Sequence, residues 1–274
     1  MYAKKIPQQR DYKLSNGLDL VDGRDNSKWN FSGTLITSVD LSLIALCMPK
    51  TNVTTLRLYS CGLTDISMLK GTLTNIKHLY LNMNQISDIS PLKYGIPNVE
   101  ELGLSYNHIS DISALDDSIP NVKKLDLERN QICDINPFKG NLKNVEQLYL
   151  NFNYIVDISA FSRNIDNMQL LSICGNKITN LSPLIDSMPN MQELRIENNQ
   201  IANINPLTNS IDNVEIMTLC SNPITDINPL KNSISKMKKL WLGNIKIADK
   251  DKISFKEYWK SIGKYDGLYF EYGF

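Results

Sequence analysis

Side chains that commonly carry catalysis are sparse in this 274-residue chain, which contains two histidines and five cysteines. The sequence has no P-loop pattern, no Gly-x-Gly-x-x-Gly, no His-Glu-x-x-His and no Gly-x-Ser-x-Gly elbow. His78 and His108 do not form a metal cluster, and we expect both at the solvated surface. The sequence therefore predicts no catalytic residues, no enzymatic activity and no cofactor.

The cysteines predict neither a disulfide framework nor a zinc ribbon, because their number is odd and no Cys-x-x-Cys pair occurs. Cys174 and Cys220, with Glu197 midway between them, could be imagined as metal ligands. The repeat described below places the two cysteines two strands apart, roughly 10 Å at the usual strand spacing, beyond the ~7 Å that a disulfide allows. That distance excludes a disulfide. We predict no metal site there either, and expect both cysteines to be small surface residues.

Carboxylates recur at one further set of regularly spaced positions. These are Asp65, Asp88, Asp111, Asp134, Asp157 and Asp226, with Asn180 and Asn203 filling the gaps. Because asparagine replaces aspartate there, we interpret the set as local hydrogen bonding in turns or caps. Calcium binding is the alternative, but calcium ligands converge on one ion, whereas these residues would spread along a ridge.

This regularity comes from a unit of 23 residues that occurs nine times in succession. The first leucine position holds Leu56, Leu79, Leu102, Leu125, Leu148, Leu171, Leu194, Met217 and Leu240. A second leucine or isoleucine follows two residues later in every unit. A fixed period of this length indicates stacked units, each of which buries its apolar face against its neighbours.

Each unit is predicted to contain a strand, a turn and a short helical piece on the opposite side. The Leu-x-Leu alternation is typical of a strand with one buried face. Residues 109–115 are apolar at every third position, which favours a 3₁₀ turn. Ser or Asn followed by Pro, as in Ser90-Pro91, predicts an N-cap before the first helical residue.

A polar column stands five residues after the first leucine. It begins with Cys61 and continues with Asn84, Asn107, Asn130, Asn153, Asn176, Asn199 and Asn222. A sharp turn leaves backbone groups inside the coil, and an unpaired buried group costs about 1–3 kcal/mol. Because an amide both donates and accepts, we interpret this asparagine column as structural.

The segment from Val99 to Ile109 matches Leu-x-x-Leu-x-Leu-x-x-Asn-x-Ile in full, with valine in the first place. The pattern resembles the leucine-rich repeat family, and the resemblance covers about residues 50 to 248. The continuation from Ser110 to Leu115 most resembles the short-repeat class that contains internalins and a regulatory subunit of a protein phosphatase. Those repeats are commonly about 22 residues long, so the extra residue here predicts a larger convex loop.

The resemblance implies an α/β leucine-rich-repeat solenoid, or horseshoe. It would have a parallel concave β-sheet, short helical or 3₁₀ segments on the convex side, and capped ends. We divide the chain into an N-terminal segment with a helical cap (1–50), nine repeats (51–248) and an aromatic-rich C-terminal cap (249–274).

Both ends carry signals of capping segments. Residues 36–48 are apolar at helical spacing, with Thr37 or Ser38 as the candidate N-cap and Pro49 after the end. The C-terminal segment is rich in aromatic residues, which favours a cap over the last coil. A tail that docks a partner is the alternative for this segment.

Function is predicted on the concave face, because strand side chains alternate and those flanking the buried leucines must point outward. These outward positions vary from unit to unit and carry aromatic and charged residues, the types enriched at protein interfaces. Lateral stacking between neighbouring strands is the alternative role for the aromatic ones. The candidate partner-binding residues are Arg57, Tyr59, Tyr80, Asp126, Glu128, Tyr149, Phe152, Arg195, Glu197 and Trp241.

These features predict a non-enzymatic protein–protein interaction module, such as an adaptor, a regulatory subunit or an effector-type protein. The alternative is a structural subunit permanently embedded in a larger assembly. The 29 basic and 29 acidic side chains balance, whereas nucleic-acid binders usually carry a basic excess. We therefore expect a protein partner, no nucleic acid and a monomer when alone.

The segment from Met1 to Pro7 lacks the apolar core of a signal peptide. No run of 18 apolar residues occurs, so no membrane span is predicted. These features predict an intracellular, cytoplasmic protein, with the nucleus or export by a route without a signal as alternatives.

Overall fold

The computed structural model describes residues 13–15 and 27–271. The segment from Met1 to Pro7 lies outside the described residues, as do parts of the predicted end segments 1–50 and 249–274. The chain, with its 23-residue repeats, divides into two larger compact parts. We call Met1–Val122 the first unit and Lys123–Phe274 the second unit.

The first unit contains a parallel sheet whose strands follow one another in chain order. In register, Trp29 pairs with Leu56, and Leu56 pairs with Leu79. The strands are β1 (Lys28–Asn30), β2 (Thr55–Arg57), β3 (His78–Tyr80) and β4 (Glu101–Gly103), and helix α1 spans Ser38–Cys47.

The second unit repeats the same parallel arrangement. Its strands are β5 (Lys124–Asp126), β6 (Gln147–Tyr149), β7 (Leu170–Ser172), β8 (Glu193–Arg195), β9 (Ile216–Thr218), β10 (Lys239–Trp241) and β11 (Leu268–Tyr269), and helix α2 spans Asp249–Ser261. The nine repeat strands centre on the first leucine position, which confirms the predicted leucine-rich-repeat fold. Strands β1 and β11 lie outside the repeats and were not predicted.

Short 3₁₀ turns occupy the far side of the repeats, as the three-residue apolar spacing predicted. In the first unit they are Ser67–Leu69, Ser90–Leu92 and Ser113–Leu115; in the second they are Asn136–Phe138, Ser159–Phe161, Ser182–Leu184, Asn205–Leu207 and Asn228–Asn232. The core of each unit lies between its sheet and these turns. Buried there are the leucine positions and two larger side chains, Phe138 and Phe161.

The predicted N-caps are wrong by position. Each turn begins at the Ser or Asn itself, and the N-cap position falls on the residue before it, such as Ile89 or Ile158, which forms no side-chain cap hydrogen bond. The aspartate two residues earlier accepts the backbone N–H instead, as Oδ1 of Asp157 does from Ser159 N (2.8 Å). Oδ1 of Asn180 does the same for Ser182 N (2.9 Å). The interpretation of the aspartate series as turn hydrogen bonding is therefore confirmed.

The asparagine column connects each repeat to the one before it. Nδ2 of Asn176 donates to the carbonyl oxygens of Leu150 (3.0 Å) and Ile173 (3.1 Å). Its Oδ1 accepts from the backbone N–H of Ile155 (3.0 Å). Asn107 in the first unit has the same three kinds of bond. Each amide thus pairs with buried backbone groups of two repeats, and a carbonyl oxygen such as that of Leu150 accepts from two successive asparagines, Asn153 and Asn176.

A second asparagine column, which the sequence analysis missed, lies on the exposed side of the loop before each strand. Nδ2 of Asn98 donates to Thr74 O (2.7 Å) in the first unit. Nδ2 of Asn190 donates to Asp166 O (2.7 Å) in the second. An asparagine occurs four residues before the first leucine position in eight consecutive repeats, so its periodicity was the signal that could have revealed it.

Helix α1 confirms the predicted helix near residues 36–48, with Thr37 as its N-cap. Thr37 and Asp40 form a capping box: Thr37 Oγ1 accepts from Asp40 N, while Asp40 Oδ2 accepts from Thr37 N (2.9 Å). Asp40 also accepts from the backbone N–H and hydroxyl of Ser15, both at 2.6 Å. Burial disfavours the charged carboxylate, but the Ser15 and Thr37 hydrogen bonds outweigh that effect and hold the pKa of Asp40 at about 2.

Helix α2 packs on the last repeat through its buried Phe255 and Trp259. The Tyr258 hydroxyl donates to the carbonyl oxygen of Lys231 (2.5 Å), and Trp259 Nε1 donates to Asp266 O (2.9 Å). A capping role for the C-terminal segment remains a prediction.

Candidate functional site

The candidate surface lies on the sheet face opposite the buried leucines, which we call the open face. Its side chains stand one and three residues after the first leucine position. Backbone hydrogen bonds continue past the strands: Leu150 N donates to Ser172 O (2.8 Å) and Phe152 N to Cys174 O (2.8 Å). The open-face side chains therefore project from backbone that is fixed on both sides.

In the first unit the open face carries Arg57, Tyr59 and Tyr80. The guanidinium of Arg57 lies 5.2 Å from the centre of the Tyr80 ring, and the Tyr80 hydroxyl donates to Oε2 of Glu101 (2.5 Å). Tyr59 is 42% exposed, and its hydroxyl contacts Sδ of Met83. The structure thus brings the three predicted residues onto one patch.

Tyr80 is held in its protonated form. Burial is the largest cause, and the hydrogen bond to Glu101 and the charge of that carboxylate add to it, while Arg57 opposes it. Together they raise the pKa of Tyr80 to about 12. The ring is therefore fixed between a cation and a carboxylate before any partner binds.

In the second unit Tyr149 is the centre of a charged patch. Nζ of Lys124 lies 5.7 Å from its ring centre, and its hydroxyl donates to Oε1 of Gln147 (3.3 Å). Burial raises the pKa of Tyr149, and the charge of Arg195 opposes this shift. The carboxylates of Glu193 and Asp126 raise it further.

Glu128 and Glu197 each accept a hydrogen bond from a neutral residue of the next repeat. Nδ2 of Asn151 donates to Oε2 of Glu128 (3.0 Å), and the Thr218 hydroxyl donates to Glu197. Arg195 forms an ion pair with Glu193 (2.5 Å). These acids and the arginine therefore have set orientations on the open face.

Trp241 stacks on Tyr269 of β11, with ring centres 5.1 Å apart and planes at 17°. Nζ of Lys239 lies 5.9 Å from the Trp241 ring. This is the lateral stacking that the sequence analysis named as the alternative role for outward aromatic residues. Phe152 lies outside the two open-face columns, in the turn after β6, where the guanidinium of Arg129 stacks 4.3 Å from its ring.

The expectation that Cys174 and Cys220 are surface residues is wrong. Their exposures are 5% and 7%, so both side chains are buried. Oδ1 of Asn151 accepts from the Ser172 hydroxyl (2.7 Å) and from Cys174 N (2.9 Å). Burial raises the pKa of both cysteine thiols, and the charge of Glu197 adds to the shift.

No group of three or more His, Cys, Asp or Glu side chains within residues 13–15 and 27–271 is placed to hold a metal ion. Neither α1 nor α2 is long and apolar enough to cross a membrane. The groups that the open face does present are aromatic rings, two arginines and oriented carboxylates, which suit contact with another protein.

A family model described as leucine-rich repeats (two copies) matches residues 51–94, 97–140 and 166–209. Internalin C2 from Listeria monocytogenes is 34% identical, with a TM-score of 0.64, over 75% of this chain and 83% of that chain. Internalin inlF from the same organism is 24% identical, with a TM-score of 0.71, over 89% and 80%.

A more distant structure is the leucine-rich repeat protein FLRT2, solved in an octameric complex with latrophilin 3 and Unc5D. It is 17% identical, with a TM-score of 0.62, over 80% of this chain and 69% of that chain. No curated protein matches the sequence. The likenesses to inlF and FLRT2 show the fold, whereas the internalin C2 match combines the fold with higher identity. The chain belongs to the leucine-rich repeat family, and it is similar to internalins.

Proposed function

We propose that the chain is a non-enzymatic protein-binding module whose open face contacts a protein partner. The observation that carries the proposal is the variation of the open face on an otherwise periodic scaffold. The buried leucine and asparagine positions are nearly constant, whereas the open face changes from Arg57 to Tyr80 in the first unit and from Tyr149 to Arg195 in the second. The fold does not require that variation, so the open face is where a specific partner would be distinguished.

The leucine-rich repeat fold is a common scaffold for protein–protein interaction, and FLRT2 is a member solved in a complex. Leucine-rich repeat proteins, including the internalins that resemble this chain, are typically non-enzymatic. Preorganisation supports the same role here, because side chains that are already oriented lose little entropy on binding. Tyr80, held between Arg57 and Glu101, and Glu128, held by Asn151, are such groups.

Two variants test the proposal, one in each unit. The first replaces Arg57, Tyr59 and Tyr80 with alanine, and the second replaces Tyr149, Arg195 and Trp241. Proteins captured by each variant from the native cell are compared with those captured by the unmodified chain. Loss of a buried aromatic or arginine anchor commonly costs about 2 kcal/mol or more, roughly a thirtyfold weaker complex. At least one variant should therefore lose its partner.

The matched control replaces Gln85, Gln131 and Gln200 with alanine. These exposed residues lie in the turns after the strands, away from the open face. Thermal unfolding of all variants shows whether the fold is retained. If both open-face variants, while folded, capture the same proteins as the control, the open face is not the binding surface.

A structural subunit of an assembly is the second candidate, and the exposed apolar side chains of α1 and of the segment just before it favour this function. Leu35, Val39 and Leu46 are 71%, 65% and 55% exposed, and apolar groups of this size on a surface often mark an interface. A permanently embedded subunit would aggregate when produced alone. A monodisperse monomer in sedimentation velocity would rule against that function.

A further inference from the structure

Arg57 of the open face carries a charge that no carboxylate of the described residues neutralises. Within that part of the chain its guanidinium has no hydrogen-bond acceptor and no ion-pair partner, and it stacks 5.2 Å from the ring centre of Tyr80. Arg195, the open-face arginine of the second unit, is instead ion-paired with Glu193 (2.5 Å). A ligand can therefore meet the charge of Arg57 without first breaking an ion pair.

Glu101, the acid that also contacts Tyr80, is turned to other groups. Its Oε2 accepts from the Tyr80 hydroxyl (2.5 Å), and its Oε1 lies 3.6 Å from Nδ1 of His78. Tyr80 thus has the guanidinium on its ring and the carboxylate at its hydroxyl, which keeps the two charges from pairing. The N–H groups along the edge of the guanidinium remain for water or a ligand.

The strand on the other side of Arg57 supplies a second donor. Asn30 of β1 is in register with Arg57, and the two flank the buried Trp29 and Leu56, so their side chains lie on the same face. Oδ1 of Asn30 accepts from Ser32 N (3.1 Å), and its Nδ2 has no acceptor among the described residues. A guanidinium and an amide donor are therefore neighbours on adjacent strands.

We call Arg57, Tyr59 and Tyr80, with Asn30 beside them, the first-unit patch. Arg57 is half-buried, and a charge attracts a counterion more strongly where water is partly excluded. A guanidinium binds a carboxylate through two parallel N–H···O bonds, and stacking on Tyr80 sets its plane before binding. Tyr59 is 42% exposed and contacts Met83, which is 43% exposed. The first-unit patch thus combines a cation, an amide donor and an apolar surface.

The donors of the first-unit patch match one negative charge rather than two. A phosphate group carries nearly two charges and is usually bound by a cluster of arginines. Here the guanidinium of Arg57 acts alone, and the Glu101 carboxylate at the hydroxyl of the same tyrosine opposes a second negative charge. A carboxylate is the anion that this arrangement fits.

We propose that the first-unit patch binds an aspartate or glutamate side chain of the protein partner, and that Arg57 selects for it. The carboxylate accepts from the edge of the guanidinium and from Nδ2 of Asn30. A neighbouring apolar side chain of the partner packs on Tyr59 and Met83. This inference rests on the proposed open-face function, because it names the chemistry that the open face recognises.

The test selects a phage-displayed library of short random peptides on the unmodified chain. The selected peptides are synthesised with a fluorescent label, and their binding is measured by anisotropy. Those that bind more weakly when Arg57, Tyr59 and Tyr80 are replaced with alanine are the first-patch peptides. Each is remade with its Asp or Glu as Asn or Gln, and both forms are measured on the unmodified chain and on Arg57→Gln.

The first-patch peptides should carry Asp or Glu beside an apolar residue. Arg57→Gln and the acid-to-amide change should each weaken binding about tenfold. The two changes together should weaken it little more than either alone, because both remove the same contact. Arg57→Lys should bind less tightly than the unmodified chain, since an ammonium lacks the planar pair of donors. Arg195→Gln is the matched control and should leave the affinity unchanged, and thermal unfolding shows that each variant is folded.

The inference is overturned if the first-patch peptides have no excess of acids, or if the losses from Arg57→Gln and from the amide change add in full. Tighter binding of a peptide with phosphoserine in place of the acid also overturns it, as does dependence of the selected peptides on the second-unit variant alone. In each of these outcomes the open face still binds, so the proposed function stands. If no selected peptide depends on either open-face alanine variant, the proposed function fails and this inference fails with it.

Discussion

The ring of Phe152 lies directly against Gly175, so that a Cβ added to the glycine would come 2.6 Å from Cδ1 of the phenylalanine. The two residues occupy the same left-handed position in consecutive repeats, with φ of +53° and +65°. The absence of a side chain in one repeat therefore allows a large one in the repeat before it.

Gly175→Asn is expected to destabilise the fold by about 1 kcal/mol, because the new Cβ forces the Phe152 ring off its support. Asparagine tolerates the left-handed backbone, so strain alone should contribute little. Gly140→Asn is the matched control, since Gly140 has a φ of +85° and no atom within 4 Å of an added Cβ. Urea unfolding gives both values.

The coupling has a further check in the Phe152→Asn background. With the ring gone, Gly175→Asn should cost no more than Gly140→Asn. If Gly175→Asn is equally costly with and without the ring, contact with Phe152 is not the cause of the destabilisation.

Asn176→Ala is expected to cost about 1–3 kcal/mol in the free energy of unfolding. The substitution leaves the buried N–H of Ile155 without its partner, and a buried unsatisfied group costs about 1–3 kcal/mol. The carbonyl oxygens of Leu150 and Ile173 each lose one of two amide donors and keep the bonds from Asn153 and Asn199. Asn190→Ala, in the exposed asparagine column, should cost less than about 1 kcal/mol because water can replace its one bond to Asp166 O. Similar losses for the two variants would contradict a special role for the buried column.

The spacing of leucines was enough to predict the strands, because each strand centres on a residue such as Leu148 whose burial the repeat demands. Strands β1 and β11 escaped prediction because Trp29 and Leu268 reach the same register from segments that do not repeat. Their pairing depends on tertiary contacts, and no sequence periodicity indicates it.

The open face could be predicted in outline only. Alternation placed Tyr149 and Arg195 outward, as the structure has them. The burial of Cys174 depends on side chains from neighbouring repeats, among them Asn151, whose Oδ1 accepts from Cys174 N. Alternation within one strand does not predict which neighbouring side chains cover a residue. The position of Phe152 likewise depends on Gly175, one repeat away.

The free energy of unfolding is expected to decrease as the pH is lowered, because Asp40 becomes protonated. The folded-state pKa of about 2 lies below the ordinary value of 3.8, so the stabilisation is complete above pH 3.8 and is lost as the pH falls through 2. The difference corresponds to about 2 kcal/mol at neutral pH. Unfolding of the unmodified chain and of Asp40→Asn should therefore differ by about that amount at neutral pH.

The same comparison at low pH decides whether charge is responsible. The difference between the two chains should shrink below pH 4 and be mostly lost at pH 2. A difference that persists unchanged at pH 2 would show that the carboxylate acts by packing rather than through its charged hydrogen bonds to Ser15 and Thr37.

Alkylation by iodoacetamide is expected to distinguish Cys133 from the other four cysteines. Cys133 is exposed, whereas Cys47, Cys61, Cys174 and Cys220 are buried. Burial also raises the pKa of each buried thiol, to about 11 for Cys61, and the thiolate is the reactive form. At neutral pH the folded chain should therefore incorporate one label, at Cys133, as located by peptide mass spectrometry.

The variant Cys133→Ser, which has the residue of Ser110 one repeat earlier, should incorporate no label while folded and four after unfolding in urea. Cys174 and Cys220 test whether the open-face cysteines are buried in solution, because a solvated cysteine at either position would react as fast as Cys133. Rapid labelling of either cysteine in the folded chain would show that the side chains around Asn151 and Glu197 open readily. The carboxylates of the open face would then become oriented only when a partner binds.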